Sequence, residues 1–161
     1  MYNASIDDII STHKKTVYNI ALSHTRNRHD ADDVFQEVFM VCFKKNPSFM
    51  SEEHCKAWLI RTTLNLSKKT ALSSWRRRTT SLSGAPELSY EFSTPEENAV
   101  RTALRELPGK YRTVLYLFYF EQYKTEEIGK LTGTSTGNVR VRLNRARALM
   151  REKLKGDYFY E

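Results

Sequence analysis

Residues 123–151 read YKTEEIGKLTGTSTGNVRVRLNRARALMR and contain two helical patterns separated by a short turn. Thr125 is a suitable N-cap for the first helix, and the two glutamates that follow it suit the positive end of the helix dipole. Gly133 is expected to end this helix, and a second helix is expected to begin at Thr136. The sequence therefore predicts a helix-turn-helix motif.

The second helix of this motif has an apolar face and a basic face. The apolar stripe consists of Val139, Leu143, Ala146 and Met150. At about 100° per residue, the side chains that point away from the stripe are Arg140, Val141, Asn144 and Arg145. Arg suits guanine edges, Asn suits adenine, and a small apolar side chain suits the thymine methyl group. A solvated basic face is the alternative, but the preceding helix and turn favour DNA binding because they specify a docking geometry.

The composition points to a polyanionic partner. The chain has 161 residues, a formal net charge of +7 and a pI near 9.4. No stretch approaches the roughly 20 apolar residues of a membrane span, and the acidic Asp7 and Asp8 do not fit the basic start of a signal peptide. We therefore expect a cytoplasmic protein that binds nucleic acid and has no direct membrane insertion.

Nothing in the sequence indicates a catalytic or metal site. Cys42 and Cys55 lack the CxxC spacing of zinc or redox motifs, which favours reduced thiols that pack in the core. The four histidines are scattered, and no glycine-rich phosphate loop occurs. We expect no metal, no cofactor and no enzymatic activity, with an active site assembled from distant residues as the alternative.

Three helices are predicted in the N-terminal half. The first spans about Ser5 to Thr25, and the second is capped by Asp30 and stopped by Pro47. The polar face of the second helix carries Asp33, Gln36, Glu37 and Met40. The third helix, from about Glu53 to Arg76, is predicted to bury Ala57, Ile60, Leu64 and Ala71. Its other face is polar and basic and carries Arg61, Asn65, Lys68, Lys69 and Arg76.

Residues 79–95 are rich in Ser, Thr, Pro and Gly and are predicted to form a flexible linker. Thr94 and Pro95 then begin a helix that ends at Pro108, and another helix spans Lys110 to Phe120. Together with the helix-turn-helix they form a four-helix domain. The predicted fold is all-α, with two small helical domains at residues 1–78 and 96–161.

Five motifs, in this order and spacing, resemble one family. They are DADDVFQEVF at 30–39, AWLIRTTLN at 57–65, LPGKYRTVL at 107–115, TEEIG at 125–129 and VRVRLNRAR at 139–147. The sequence resembles the sigma-70 family of bacterial RNA polymerase sigma factors over nearly its whole length. The short linker, with no third domain inside it, is similar to that of the extracytoplasmic function group.

The resemblance implies one role for each predicted surface. The second helix would bind the clamp helices of the largest subunit of core RNA polymerase through Asp33, Gln36, Glu37 and Met40. The C-terminal domain would meet the flap of the second subunit. The minus-35 promoter element would be read by Ser135, Thr136, Asn138, Arg140, Val141, Asn144 and Arg145. The minus-10 element would meet Phe49, Arg61, Asn65, Lys68, Lys69 and Arg76.

At the minus-10 element the resemblance places Asn65 and the loop around Phe49 near a base flipped from the melted strand. A core position for Phe49 is the alternative. An anti-sigma factor, often membrane-bound in this group, is a further implied partner.

Three functions are compared. The favoured one is a sigma factor that recruits core polymerase, reads both promoter elements and aids melting of the duplex. The second is a stand-alone helix-turn-helix regulator with an N-terminal sensor or dimerisation domain, which would not need a second basic surface. The third, an RNA-binding or nucleic-acid-modifying enzyme, lacks a candidate active site.

Overall fold

The computed structural model describes residues 1–25, 27–78 and 95–155. For residues 74–78 and 95–98 it describes the backbone alone. The described residues form helices and no strand, which confirms the all-α fold. The helices are α1 (Ile6–His24), α2 (Arg28–Lys45), α3 (Glu52–Arg78), α4 (Pro95–Glu106), α5 (Gly109–Tyr119), α6 (Thr125–Thr132) and α7 (Thr136–Lys155). The chain divides into two compact units, and their described parts hold α1–α3 and α4–α7. The predicted linker lies outside the described residues except for Pro95, where α4 begins, so its bounds stay a prediction.

The first helix begins at a capping box. The Ser5 hydroxyl accepts a hydrogen bond from the Asp8 backbone N–H at 3.1 Å, and the Asp8 carboxylate accepts one from the Ser5 N–H at 3.3 Å. Two of the backbone donors that a helix start leaves without partners are thereby satisfied. Ile9, Val17 and Ile20 then face the core.

The cap of α2 differs from the prediction. Asn27 is the N-cap: its side-chain oxygen accepts a hydrogen bond from the Asp30 backbone N–H at 2.8 Å. The predicted cap at Asp30 is wrong, because Asn27 offers an equally good cap one turn earlier and Asp30 is buried in the first turn. The helix ends at Asn46, whose left-handed backbone (φ 44°) lets its N–H bond the Cys42 carbonyl before Pro47.

The three helices of the first unit pack around one apolar core, and α3 enters it on a different stripe from the one predicted. The buried residues of α3 are Cys55, Leu59, Ile60, Thr63 and Ser67. Of the four predicted core positions only Ile60 is buried, and the others are half-buried. The buried stripe includes two hydroxyls, and that of Thr63 donates to the Leu59 carbonyl at 2.6 Å. This bond lets Thr63 occupy the core, whereas the buried Ser67 Oγ has no hydrogen-bond partner among the described residues.

A short N-terminal segment, defined here as residues 1–5, pairs with the loop between α2 and α3. The Tyr2 N–H donates to the Phe49 carbonyl at 3.0 Å. Phe49 itself is only 4% exposed and meets the rings of His54 and Trp58 edge to face. The loop is therefore held by a backbone hydrogen bond to the N-terminal segment and by the aromatic cluster of Phe49, His54 and Trp58.

In the second unit α7 packs against α4, α5 and α6. The core there includes Leu104, Leu117, Ile128 and Leu143. The predicted cap at Thr125 is wrong by one residue: Lys124 is the N-cap, and its backbone N–H bonds the Glu127 carboxylate at 2.8 Å. A glutamate at this position can satisfy the helix start without a capping hydroxyl.

The turn of the helix-turn-helix lies where the sequence predicts it. Gly133 has a left-handed backbone (φ 70°), ends α6, and bonds the Gly129 carbonyl through its N–H. Thr136 begins α7. Within the part of the chain that the structure describes, no helix is long and apolar enough to cross a lipid bilayer.

Candidate nucleic-acid interface and polymerase-binding face

The predicted minus-35 residues share the solvent side of α7 and its N-cap. Ser135 caps the helix, since its hydroxyl accepts a hydrogen bond from the Asn138 N–H at 3.2 Å. Thr136 is half-buried, and the exposed members are Ser135, Asn138, Arg140, Val141, Asn144 and Arg145. Val139, Leu143 and Ala146 are buried on the opposite side. The structure thus brings the seven residues together on a surface that a major groove can accommodate.

The exposed face of α7 is electrostatically coupled to α6. The pKa of Glu126 in the first turn of α6 lies below its usual value. Its own backbone N–H and the Thr125 hydroxyl stabilise the carboxylate, and the nearby charge of Arg140 adds to the effect. Arg140 therefore has an acidic neighbour in the free protein.

The turn before α7 is held by close contacts on both sides. The Arg142 guanidinium donates to the Thr134 hydroxyl at 3.3 Å. On the other side, an ideal Cβ built on Gly129 would lie 2.5 Å from the Thr134 carbonyl oxygen. Only glycine permits this approach of α6 to the turn. The start of α7, and with it Ser135, is thereby fixed relative to α6.

Two residues outside the predicted set organise the middle of the α7 surface. The Arg147 Nε donates to the Tyr119 hydroxyl at 2.7 Å, and its Nη1 donates to the Asn144 side-chain oxygen at 3.1 Å. The spacing of Asn144 and Arg147 along one helix is a signal that the sequence offers. The hydrogen bond from Arg147 to Tyr119, at the end of α5, has no such signal in the sequence.

The predicted minus-10 residues divide into three groups. Arg61, Asn65, Lys68 and Lys69 are all exposed along one face of α3. Arg76 lies in the same helix, and its side chain is outside the described residues. Phe49 corrects the prediction: it is a core residue, so it presents no face for a flipped base. Its neighbour Met50 is 74% exposed.

The predicted polymerase-binding residues form one exposed face of α2. Asp33, Gln36 and Glu37 surround Met40, which is 53% exposed. The Asp33 carboxylate lies 3.5 Å from the His29 Nε2. Phe43, also exposed, lies three residues after Met40 and extends the apolar part of this face. It was not predicted, although its helical spacing from Met40 is visible in the sequence.

The two thiols are buried and unpaired with each other. Burial raises the pKa of Cys55 to about 11, so its thiol is protonated at neutral pH and a poor nucleophile. Among residues 1–25, 27–78 and 95–155, no three His, Cys, Asp or Glu side chains are grouped as a metal site.

The comparisons with known proteins agree on one family. Residues 9–79 match the model of sigma-70 region 2, and residues 97–150 match that of sigma-70 region 4. RNA polymerase sigma factor SigV of Bacillus subtilis (strain 168) is 34% identical over 151 residues, which cover 90% of this chain and 88% of that protein. The ECF RNA polymerase sigma factor SigW of the same strain is 27% identical over 164 residues, covering 92% and 88%.

Solved structures share the fold. The sigma factor RpoE of Bartonella quintana, in complex with the anti-sigma factor NepR, has a TM-score of 0.78 at 21% identity, covering 92% of this chain and 95% of that one. CnrH, in complex with the cytosolic domain of CnrY, has a TM-score of 0.68 at 22% identity, covering 94% and 88%. With both region models matched in order and SigV aligned over 90% of the chain, the chain belongs to the extracytoplasmic function group of the sigma-70 family.

Proposed function

We infer that this protein is an RNA polymerase sigma factor, which binds core polymerase and directs promoter-specific initiation without catalysing a reaction itself. The observation that carries this function is the presence of two exposed basic faces, on α3 in one unit and on α7 in the other. A helix-turn-helix regulator with a sensor domain needs only the second. Two DNA-binding faces suit a subunit that reads two promoter elements.

At the minus-35 element we propose that α7 lies in the major groove. The helix begins at Thr136, directly after its N-cap Ser135, so the backbone N–H groups of its first turn would point toward a phosphate, where the helix dipole also favours negative charge. Arg140, Val141, Asn144 and Arg145 follow within three turns and face the base edges.

At the minus-10 element we propose that α3 binds the opened strand. Arg61, Lys68 and Lys69 supply charge to the phosphates, and Asn65 between them supplies hydrogen bonds to a base edge. Because Phe49 supports the loop from the core, contact with a flipped base falls to the exposed loop residues Ser48 and Met50. A methionine can pack against the flat face of a base.

The face of α2 fits a protein partner better than DNA. Its acidic members, Asp33 and Glu37, repel phosphate, while Met40 and Phe43 offer apolar surface at the centre of the face. We propose that this face binds the clamp helices of the largest polymerase subunit and that the second unit contacts the flap of the second subunit. We also propose an anti-sigma factor as a partner, since RpoE was solved in complex with one. We further propose a cytoplasmic location, with any anchoring at the membrane supplied by that partner.

Run-off transcription tests the function. Purified bacterial core polymerase is supplied with a library of genomic promoter fragments, with and without the full-length chain. We expect specific transcripts only when the chain is present. If no promoter yields a transcript while the chain binds free duplex DNA tightly, the stand-alone regulator is the better description. The variant Met40→Arg should abolish transcription and leave DNA binding by the isolated chain intact.

A further inference from the structure

Arg147 joins the exposed face of α7 to the end of α5 through several contacts. Its guanidinium donates from Nε to the Tyr119 hydroxyl and from Nη1 to the Asn144 Oδ1. The guanidinium carbon also lies 5.5 Å from the ring centroids of both Phe118 and Tyr119. A planar fork held by two directional bonds and two rings has little freedom to rotate. Arg147 is therefore built as a fixed support.

This support determines how Asn144 is oriented. A guanidinium only donates hydrogen bonds, so the atom of the Asn144 carboxamide that faces it must be the oxygen. The NH2 group of the same amide then points away from Arg147. Asn144 is exposed, and its NH2 group is the part left for a partner.

The orientation has a consequence for base recognition. An asparagine that reads adenine uses both amide atoms, accepting from N6 and donating to N7. The Asn144 oxygen keeps a second lone pair, but an adenine N6 amino group that donated to it would also approach the cationic N–H groups of Arg147, so the NH2 donors are the better contact that Asn144 offers. Guanine carries two acceptors, N7 and O6, and no donor beside them on its major-groove edge. The arrangement thus favours guanine over adenine.

We propose that Arg147 and Tyr119 are positioning residues that orient Asn144 and make it select guanine in the minus-35 element. This proposal rests on the proposed reading of that element by α7. Tyr119 holds Arg147, Arg147 holds the Asn144 oxygen, and Asn144 alone contacts the base. The specificity of one position is therefore set by a residue of α5 that does not need to touch it.

The experiment measures base preference with holoenzyme made from the full-length chain and bacterial core polymerase. A promoter library randomised in the minus-35 element is bound, and the bound fraction is sequenced. The variant Asn144→Ala identifies the position that Asn144 reads as the one where preference is lost. At that position we expect the wild-type protein to favour guanine over adenine by roughly fivefold or more.

Two further variants test the support. Arg147→Lys keeps the charge but loses the fork, so at the same position we expect the guanine preference to disappear or turn toward adenine, with the salt dependence of binding little changed. Tyr119→Phe removes one hydroxyl from an exposed ring and should shift the preference in the same direction by a smaller factor. Because Tyr119→Phe does not disturb the core, it keeps the test valid if Arg147→Lys unfolds.

A double variant and a charge control separate positioning from other roles. In the Asn144→Ala background, Arg147→Lys should change nothing further at that position. Arg151→Lys, one turn later on α7, should leave the preference there as in the wild-type protein. The proposal is overturned if Arg147→Lys leaves every base preference intact or weakens all sequences equally, as loss of a phosphate contact would. A wild-type holoenzyme without any minus-35 preference would overturn the proposed function of α7 as well.

Discussion

Gly129 shows how a single missing Cβ fixes the helix-turn-helix. Alanine there gains about 1 kcal/mol of helix propensity, but its Cβ would lie 2.5 Å from the Thr134 carbonyl oxygen. Backbone cannot yield as a flexible side chain can, so we expect Gly129→Ala to destabilise the second unit by about 1–3 kcal/mol. Denaturant unfolding of the full-length protein, followed by helical circular dichroism, measures the change.

Gly137 provides the matched control for this prediction. It also lies in a helix of the motif, yet nothing is within 4 Å of a Cβ built on it. Gly137→Ala should therefore be neutral or stabilise the protein by up to about 1 kcal/mol. If both alanine variants shift the unfolding midpoint in the same direction, propensity rather than the contact with Thr134 decides the effect.

His13 makes the stability of the first unit depend on pH. It is 3% exposed in α1, and its Nε2 has no hydrogen-bond partner among the described residues. Burial lowers its pKa; the charge of Glu52 partly opposes this, and that of Lys56 adds to it. The native protein thus keeps His13 neutral at a pH where the unfolded chain, with a pKa near 6.5, is already protonated.

The free energy of unfolding should therefore fall as the pH drops through about 6.5, and this loss should stop below the native pKa of His13. The variant His13→Gln removes that contribution, so its stability should change less between pH 7.5 and 5 than that of the wild-type protein. His29→Gln is the control, because the His29 side chain is 80% exposed. Parallel pH curves for the wild-type protein and His13→Gln would contradict the assignment.

At the scale of elements, the N-terminal segment supports the α2–α3 loop. The Tyr2 N–H bonds the Phe49 carbonyl, and the Met50 N–H bonds the His54 Nδ1 at 3.0 Å. Tyr2→Pro deletes the first donor, which should cost about 1 kcal/mol and speed amide exchange in residues 47–51. Hydrogen-exchange mass spectrometry of the full-length protein measures this.

Tyr2→Ala controls for loss of the ring, because it removes the aromatic side chain and keeps the backbone donor. We expect its exchange in residues 47–51 to match the wild-type protein. If Tyr2→Pro also matches, the aromatic cluster of Phe49, His54 and Trp58 holds the loop without the N-terminal segment.

Local signals determined which elements could be predicted. The turn at Gly133 and the start of α7 at Thr136 follow from residues adjacent to them, and both predictions are confirmed. The predicted buried stripe of α3 was wrong. The observed stripe includes Thr63 and Ser67, whose hydroxyls a search for apolar periodicity passes over.

In the site, too, local features could be predicted and tertiary contacts could not. The exposed face of α7 could be predicted from helical periodicity. The bond from Arg147 to Tyr119 could not, because it joins residues 28 positions apart on two helices. Whether Phe49 lies in the core or on the surface depends on tertiary packing of a short loop, so the sequence left both alternatives open.

At the scale of the whole molecule, the proposed function divides the work of promoter binding between the two units. In this proposal the α7 face presents Arg140 and Arg145 to base edges, where a good pair discriminates by about 1–3 kcal/mol. The α3 face would present Lys68 and Lys69 to phosphates, which carry no sequence information but contribute affinity that depends on salt. One unit should therefore control where the polymerase binds, and the other should contribute affinity at every promoter.

Arg140→Ala and Lys68→Ala test this division in holoenzyme made with the full-length chain. Arg140→Ala should cost about 1–3 kcal/mol at one base position of the minus-35 element, while Lys68→Ala should weaken binding to all promoters and lower the salt slope by about 1. Because the two residues lie in separate units, the double variant should lose the sum of both penalties to within about 0.5 kcal/mol.

Promoter affinity is measured over a series of salt concentrations, on duplexes with matched and mismatched minus-35 elements. These measurements give the base-specific loss, the salt slope and the loss in the double variant. Equal losses on both duplexes for Arg140→Ala would assign Arg140 to a phosphate instead of a base. A double variant that loses much less than the sum would mean that the two faces bind cooperatively, because loss of α7 docking on the minus-35 duplex would already weaken capture of the opened strand by α3.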